Sequence, residues 1–124
     1  MLIDTSAWVE YFKATRKGER VKQIIKTKQQ LFTNPLTIAE LAQWADKNNL
    51  DTKLILSFVY DTSEVLELSP DVFEVAGKRY NLLRPVKQKI SMIDVIIYTS
   101  ALIYGFSLLT SDSDFIDLPF VEMI

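Results

Sequence analysis

Ser91-Met92-Ile93-Asp94-Val95-Ile96-Ile97-Tyr98-Thr99-Ser100-Ala101-Leu102-Ile103-Tyr104-Gly105-Phe106-Ser107-Leu108-Leu109-Thr110-Ser111-Asp112 is the most informative run in the chain. Ser91 is a helix N-cap residue type, and Ile93, Val95, Ile96, Ile97, Ala101, Leu102 and Ile103 leave the segment apolar on nearly all sides. That pattern predicts a central, buried helix. Gly105 stops it in the C′ position. Ser107–Leu109 then reads as a short strand, Thr110–Leu118 as a polar loop, and Phe120–Ile124 as a last strand. An acid stands at each end of the unit: Asp94 in the first helical turn and Asp112 just past the strand.

Similar units precede it. Met1–Asp4 is a short apolar run followed by the cap candidates Thr5 and Ser6, with Trp8, Tyr11 and Phe12 at helical spacing. Lys17–Lys28 places Val21, Ile24 and Ile25 on one helical face and basic residues on the other. Leu31–Thr33 is a candidate strand, stopped by Asn34-Pro35. From Thr37, the positions Ile38, Leu41, Ala42 and Ala45 follow an amphipathic helical pattern. Asp51 caps a further helix with Leu54, Ile55, Phe58 and Val59 inward. Val65–Leu68 alternates as a half-exposed edge strand does. Ser69-Pro70 supplies N-cap and N1 of a helix striped by Val72, Val75, Ala76, Tyr80 and Leu83, and Pro85 ends it. Strands alternating with helices predict an α/β fold with a mostly parallel sheet and helices on both faces.

Composition narrows the chemistry. The 124 residues suit one domain, and 48% apolar against 24% charged suits a folded one. Cys 0 and His 0 remove disulfides, thiolate nucleophiles, Ser-His-Asp triads, His-based ribonuclease chemistry and nearly every zinc site. Carboxylates, hydroxyls, Lys, Arg and hard metal ions remain. The longest apolar stretch, Val95–Leu109, is shorter than the ~20 residues of a spanning helix, and the N-terminus meets Asp4 without a basic leader. A cytoplasmic protein with no membrane span is the expectation. Net charge is −2 and the pI about 5.1. Even so, twelve of the fourteen basic residues fall within Lys13–Lys28 and Lys78–Lys89. These are either solvated helix faces or contacts for a polyanion.

Asp4, Glu40, Asp94 and Asp112 each interrupt an apolar context, with Asp114 two residues on. In open α/β sheets ligands bind beyond the carboxyl ends of the strands, where the next helices begin. Asp4 and Asp112 leave strands there, while Glu40 and Asp94 lie in first helical turns. Two like charges ~4 Å apart repel by ~4 kcal/mol at an effective dielectric of 20. A hard cation removes that cost, and oxygen-only ligation favours Mg²⁺ or Mn²⁺. Each acid also has a bland reading. Thr37-x-x-Glu40 and Ser91-x-x-Asp94 are capping-box patterns, Asp4 can cap a helix, and Ser111-Asp112 can be an ordinary turn. Their convergence on one rim is what four separate caps do not require. Trp8, Tyr11, Phe12 and Trp44 read as helix packing, or alternatively as a partner groove along the first helix.

Leu2-Ile3-Asp4-Thr5-Ser6, Leu36-Thr37-Ile38-Ala39-Glu40-Leu41, Ile90-Ser91-Met92-Ile93-Asp94 and Leu108-Leu109-Thr110-Ser111-Asp112-Ser113-Asp114-Phe115 resemble the ordered acidic motifs of PIN-domain nucleases. The likeness is greatest to the toxin ribonucleases of VapBC-type toxin–antitoxin pairs, and it covers essentially the whole chain. It implies one three-layer α/β/α domain over residues 1–124, with a central sheet of four to five strands. It implies an endoribonuclease dependent on Mg²⁺ or Mn²⁺, with Asp4, Glu40, Asp94 and Asp112 as the acidic site. Asp114 is an additional ligand candidate, and Ser6 and Thr110 are supporting hydroxyls. A cognate antitoxin and a homodimer are further implications. Lys13, Arg16, Lys17, Arg79 and Lys87 are candidates to hold the RNA backbone beside the acidic rim. An RNA-processing nuclease outside toxin systems and a non-catalytic binding module are the rival readings. A phosphoacceptor domain fits less well, since Asp4 stands alone after its strand and no Lys follows Lys89.

Overall fold

A computed structural model describes all 124 residues, Met1–Ile124. The chain runs β1 (Leu2–Ile3), α1 (Thr5–Phe12), α2 (Arg16–Lys26), β2 (Phe32–Thr33), α3 (Pro35–Lys47), α4 (Thr52–Thr62) and β3 (Glu64–Val65). It continues through α5 (Pro70–Leu83), α6 (Met92–Tyr104), β4 (Leu108–Thr110), a 3₁₀ turn (Ser113–Phe115) and β5 (Val121–Met123). The five strands form one sheet in the order β3-β2-β1-β4-β5, and every pairing is parallel. After β1 the chain builds outward to β2 and β3, then crosses back to place β4 on the other side of β1. The strand order therefore reverses between β1 and β4, where a crevice forms at the carboxyl ends.

Strand alternation divides the core in two. Leu2 and Leu108 face a layer with Ala76 of α5 and Val95, Ile97, Tyr98 and Ala101 of α6. Ile3 and Leu109 face Ala7 and Trp8 of α1, Val21 and Ile24 of α2, Leu41 of α3 and Val59 of α4. This is the expected α/β/α arrangement, with the sheet wholly rather than mostly parallel.

Two expectations need correction. The helix read from Thr37 begins at Pro35, because Asn34 is its N-cap: the Asn34 Oδ1 accepts from Leu36 N at 2.8 Å. Asn34-Pro35 is thus a helix start and not only a strand stop, and Glu40 sits in the second turn. No capping box forms from Thr37. The expectation that α6 is the central, buried helix holds for its middle, Val95 and Ile97–Ala101. Near its ends Met92, Ile93, Ile103 and Tyr104 are 38–47% exposed. A helix of thirteen residues is ~20 Å long, while strands of two or three residues span at most ~10 Å. The ends of α6 overhang the sheet.

Gly18 permits a close approach of α2 to α1. A Cβ there would lie 2.2 Å from the Glu10 carbonyl oxygen and 2.9 Å from the Tyr11 Cα, both backbone atoms. Gly77, inside α5, has nothing within 4 Å of its Cβ position. Gly18→Ala is expected to destabilise the domain by about 1–3 kcal/mol through forced separation of α1 and α2. Gly77→Ala is expected to stabilise it by about 0.5–1 kcal/mol. Urea denaturation of the two variants checks the opposite signs.

Candidate metal centre

The acids reach the crevice by four routes. Asp4 follows β1 and is the N-cap residue of α1, yet its side chain makes no capping bond. Instead its Oδ2 accepts from Ser6 Oγ at 2.8 Å and from Thr110 Oγ1 at 2.7 Å. Each hydroxyl spends its single proton on Asp4 and accepts a backbone N–H in return: Ser111 N to Ser6 Oγ and Asp112 N to Thr110 Oγ1, both 3.0 Å. One carboxylate oxygen is thereby fixed by two hydroxyls, which also set the course of the chain leaving β4. The two hydroxyls expected beside the acidic site, Ser6 and Thr110, thus both lie on Asp4 Oδ2. Asp4 is only 4% exposed, and its carboxyl pKa is raised. Burial is the largest cause; the Thr110, Ser6 and Thr5 hydrogen bonds oppose it, and the Asp94 charge adds to it.

Asp94 completes a true capping box: Ser91 N donates to its Oδ2 at 3.0 Å, and Asp94 N donates to Ser91 Oγ at 3.1 Å. The cap and the acidic-site readings are therefore compatible, since one oxygen serves each. Asp112 caps the 3₁₀ turn by accepting from Asp114 N at 2.9 Å. Carboxylate oxygens of Asp94, Asp112 and Asp114 lie within 4.8 Å of one another. Asp114 is thus a full member of the cluster. Asp94 has a raised pKa, first from burial, then from the Asp112 and Asp114 charges acting against its Ser91 hydrogen bonds.

Glu40 is gathered by residues that the sequence reading did not assign to the site. Thr5 Oγ1 donates to Glu40 Oε1 at 2.6 Å, and the same Thr5 oxygen lies 3.0 Å from Thr37 Oγ1. Thr5 is legible only as a cap candidate, so neither contact has a local sequence signal. Burial raises the Glu40 pKa; the Thr5 bond opposes this, and the charges of Asp4, Asp94 and Asp112 reinforce it.

The basic candidates are dispersed. Lys13 follows α1, whose eight residues span ~12 Å from Asp4 at 1.5 Å per residue, and Arg16 and Lys17 open α2. Arg79 donates to Thr99 Oγ1 at 3.1 Å and lies over the Tyr98 ring at 5.9 Å, joining α5 to α6. Lys87 donates to the Ile116 carbonyl, on the loop that leaves Asp114. The two ion pairs of the molecule, Arg20–Glu122 and Lys78–Glu74, involve none of the five acids. An all-oxygen cluster with no protein counter-charge fits a hard divalent cation, with Asp94, Asp112 and Asp114 as ligands and Asp4 beside them.

The fold is that of a known class. The chain matches the PIN domain family over residues 1–121, and it belongs to that family. Its fold is similar to that of a toxin–antitoxin complex from Klebsiella pneumoniae, with a TM-score of 0.78 and 22% identity over 98% of this chain and 95% of that one. It is also similar to VapBC2 from Rickettsia felis bound to a DNA fragment from its promoter, with a TM-score of 0.75 and 16% identity over 99% and 96% of the two chains. No curated protein sequence matches the chain significantly. No helix is long and apolar enough to cross a membrane.

Raised carboxyl pKa values carry a sign. The unfolded chain ionises near about pH 4, while folded Asp4, Glu40 and Asp94 keep their protons to higher pH. Their contribution to metal-free stability is greatest below the ordinary values and declines as pH rises through the raised ones. In Asp94→Asn the amide oxygen can still accept from Ser91 N, and the charge facing Asp112 and Asp114 is gone. Its Tm in EDTA at pH 7 is expected to exceed that of wild type by on the order of 5 °C. The difference should shrink toward pH 4. A lower Tm for the variant at pH 7 would show that repulsion is not the governing term.

Proposed function

We propose that this PIN-domain protein is an endoribonuclease dependent on Mg²⁺ or Mn²⁺ that hydrolyses RNA phosphodiester bonds, and that it is the toxin of a toxin–antitoxin pair. The observation that carries the reading is the Asp94–Asp112–Asp114 cluster beside a hydroxyl-fixed Asp4, with no paired Lys or Arg. A bound hard cation would supply charge neutralisation at the phosphate and a lowered pKa for water.

The chain's own groups divide the remaining work. Asp94, Asp112 and Asp114 would hold the cation, with Asp94 Oδ2 and Asp112 Oδ1 also accepting backbone N–H groups. Ser6 and Thr110 keep Asp4 in one rotamer, with its Oδ1 directed away from their shared contact. Thr5 holds Glu40 by Oε1, leaving Oε2 to accept a proton from an attacking water. Its raised proton affinity makes the Glu40 carboxylate a better proton acceptor than an ordinary one. No histidine is needed, in keeping with a chain that has none.

The partners follow from the same reading. The similar solved structures are toxin–antitoxin assemblies, which supports a protein antitoxin for this chain. Exposed apolar residues on α5 and α6, among them Phe73, Leu82, Ile93 and Ile103, offer surface for a second copy or for that antitoxin.

Cleavage of end-labelled single-stranded RNA tests the activity. Wild type is expected to cut with Mg²⁺ or Mn²⁺ and to stop in EDTA. Asp4→Asn is expected to lose at least 100-fold in rate, the order of loss seen when one preorganised electrostatic group is removed. Cutting that persists in EDTA, or undiminished in Asp4→Asn, would place the chemistry elsewhere.

A further inference from the structure

The acidic rim repels a polyanion, and the densest set of cations in the chain lies on α2 and its flanks. Lys13–Lys28 holds seven of the fourteen basic residues and one of the sixteen acidic ones, so it carries a formal +6 against −8 for the rest of the chain. Apart from Arg20, bonded to Glu122, none of these cations has an ion-pair partner. Helix stability accounts for them only in part: Lys26 stands in the favourable last turn of α2, and the others gain less. Arg16 and Lys17 stand in the first turn of α2, where the macrodipole is positive. Arg16/Arg20 and Lys22/Lys26 are like-charge pairs at i,i+4, which weaken a helix.

The C-terminal end of this helix opens into the largest cleft of the molecule, about 660 Å³. It lies where the chain enters β2 and β3, opposite the acidic rim. Lys28, Gln29, Gln30, Tyr60, Asp61 and Glu64 line it. Tyr60 is 52% exposed, a large ring left in solvent at the mouth of a polar cleft. A cation for phosphate, an aromatic face for stacking, and amides and carboxylates for base edges are what single-stranded RNA recognition uses. An acidic protein segment would use the lysines and be repelled by Asp61 and Glu64, whereas those carboxylates can accept from exocyclic base amines.

We infer that α2 and the adjoining cleft form a second RNA-binding site, remote from the acidic rim, in which Lys22, Lys26 and Lys28 hold phosphates and Tyr60 stacks on a base. The inference takes RNA as the ligand from the activity proposed above. It gives the rim a means of acquiring a substrate that its own charge opposes.

The test is fluorescence anisotropy with a 5′-labelled single-stranded 20-nucleotide RNA in EDTA, where capture is read without cleavage. The proteins are wild type, the triple variant Lys22→Gln/Lys26→Gln/Lys28→Gln, Tyr60→Ala, and a Lys47→Gln/Lys53→Gln control outside the patch. Circular dichroism establishes that each is folded. The triple variant is expected to bind at least tenfold more weakly, with the slope of log K against log salt reduced by about 2. Tyr60→Ala should lose about tenfold with its salt slope unchanged, and the control should change less than twofold. Equal binding by wild type and both patch variants would overturn the site. So would polyglutamate binding as tight as RNA binding together with no effect of Tyr60→Ala, the result for an acidic-protein surface. Binding that follows the expected pattern in a protein that cleaves no RNA would keep this site and remove the nuclease reading. Cleavage without the pattern would do the reverse.

Discussion

Asp4, Glu40, Asp94, Asp112 and Asp114 meet where the strand order reverses, and no Lys or Arg is paired with any of them. Burial raises the proton affinity of Asp4, Glu40 and Asp94, and the charges of neighbouring acids add to it. Packing elsewhere must hold these groups together against that opposition. Two cores, one on each face of a five-stranded parallel sheet, do so. The cluster then amounts to a stored demand for positive charge, which a hard cation meets better than a flexible lysine because several carboxylate oxygens can share it.

Hydroxyls make the arrangement specific. Ser6 and Thr110, 104 residues apart, sit 3.0 Å from each other and converge on one oxygen of Asp4. Their lone pairs take the N–H groups of Ser111 and Asp112. The start of α1 and the exit of β4 are therefore tied through a single buried carboxylate, and the position of Asp112 depends on that tie. Thr5 performs a comparable service for Glu40 from the other side of α1. Neutral donors of this kind steady an anion without cancelling its charge, so its affinity for a metal is preserved.

Much of this was legible in the sequence because it is local. The largely apolar run from Ile93 to Ile103, closed by Gly105, marks the helix behind the sheet, and the acids after β1 and β4 follow from short apolar strands leading to Asp. Ser91 and Asp94 announce their capping box directly. The Glu40 environment was misjudged by one helical turn, since Asn34-Pro35 reads equally as a strand stop and a helix start. Thr5 bonding to Glu40 is a contact across 35 residues, and no periodicity reports it. The basic segments show the same limit. Their charge is evident from the sequence, but only tertiary contacts show Arg79 engaged with Thr99 and Tyr98.

The central claim is that the reversal of strand order assembles a cation site from carboxylates the fold leaves unneutralised. The most direct measurement is diffraction from crystals grown with Mn²⁺, using anomalous scattering to locate the ion. A single strong peak coordinated by Asp94, Asp112 and Asp114, with Asp4 directly or through water, is the expected result. It should vanish in crystals of Asp112→Asn. No peak in the crevice at millimolar Mn²⁺, or one held by other residues, would contradict the claim.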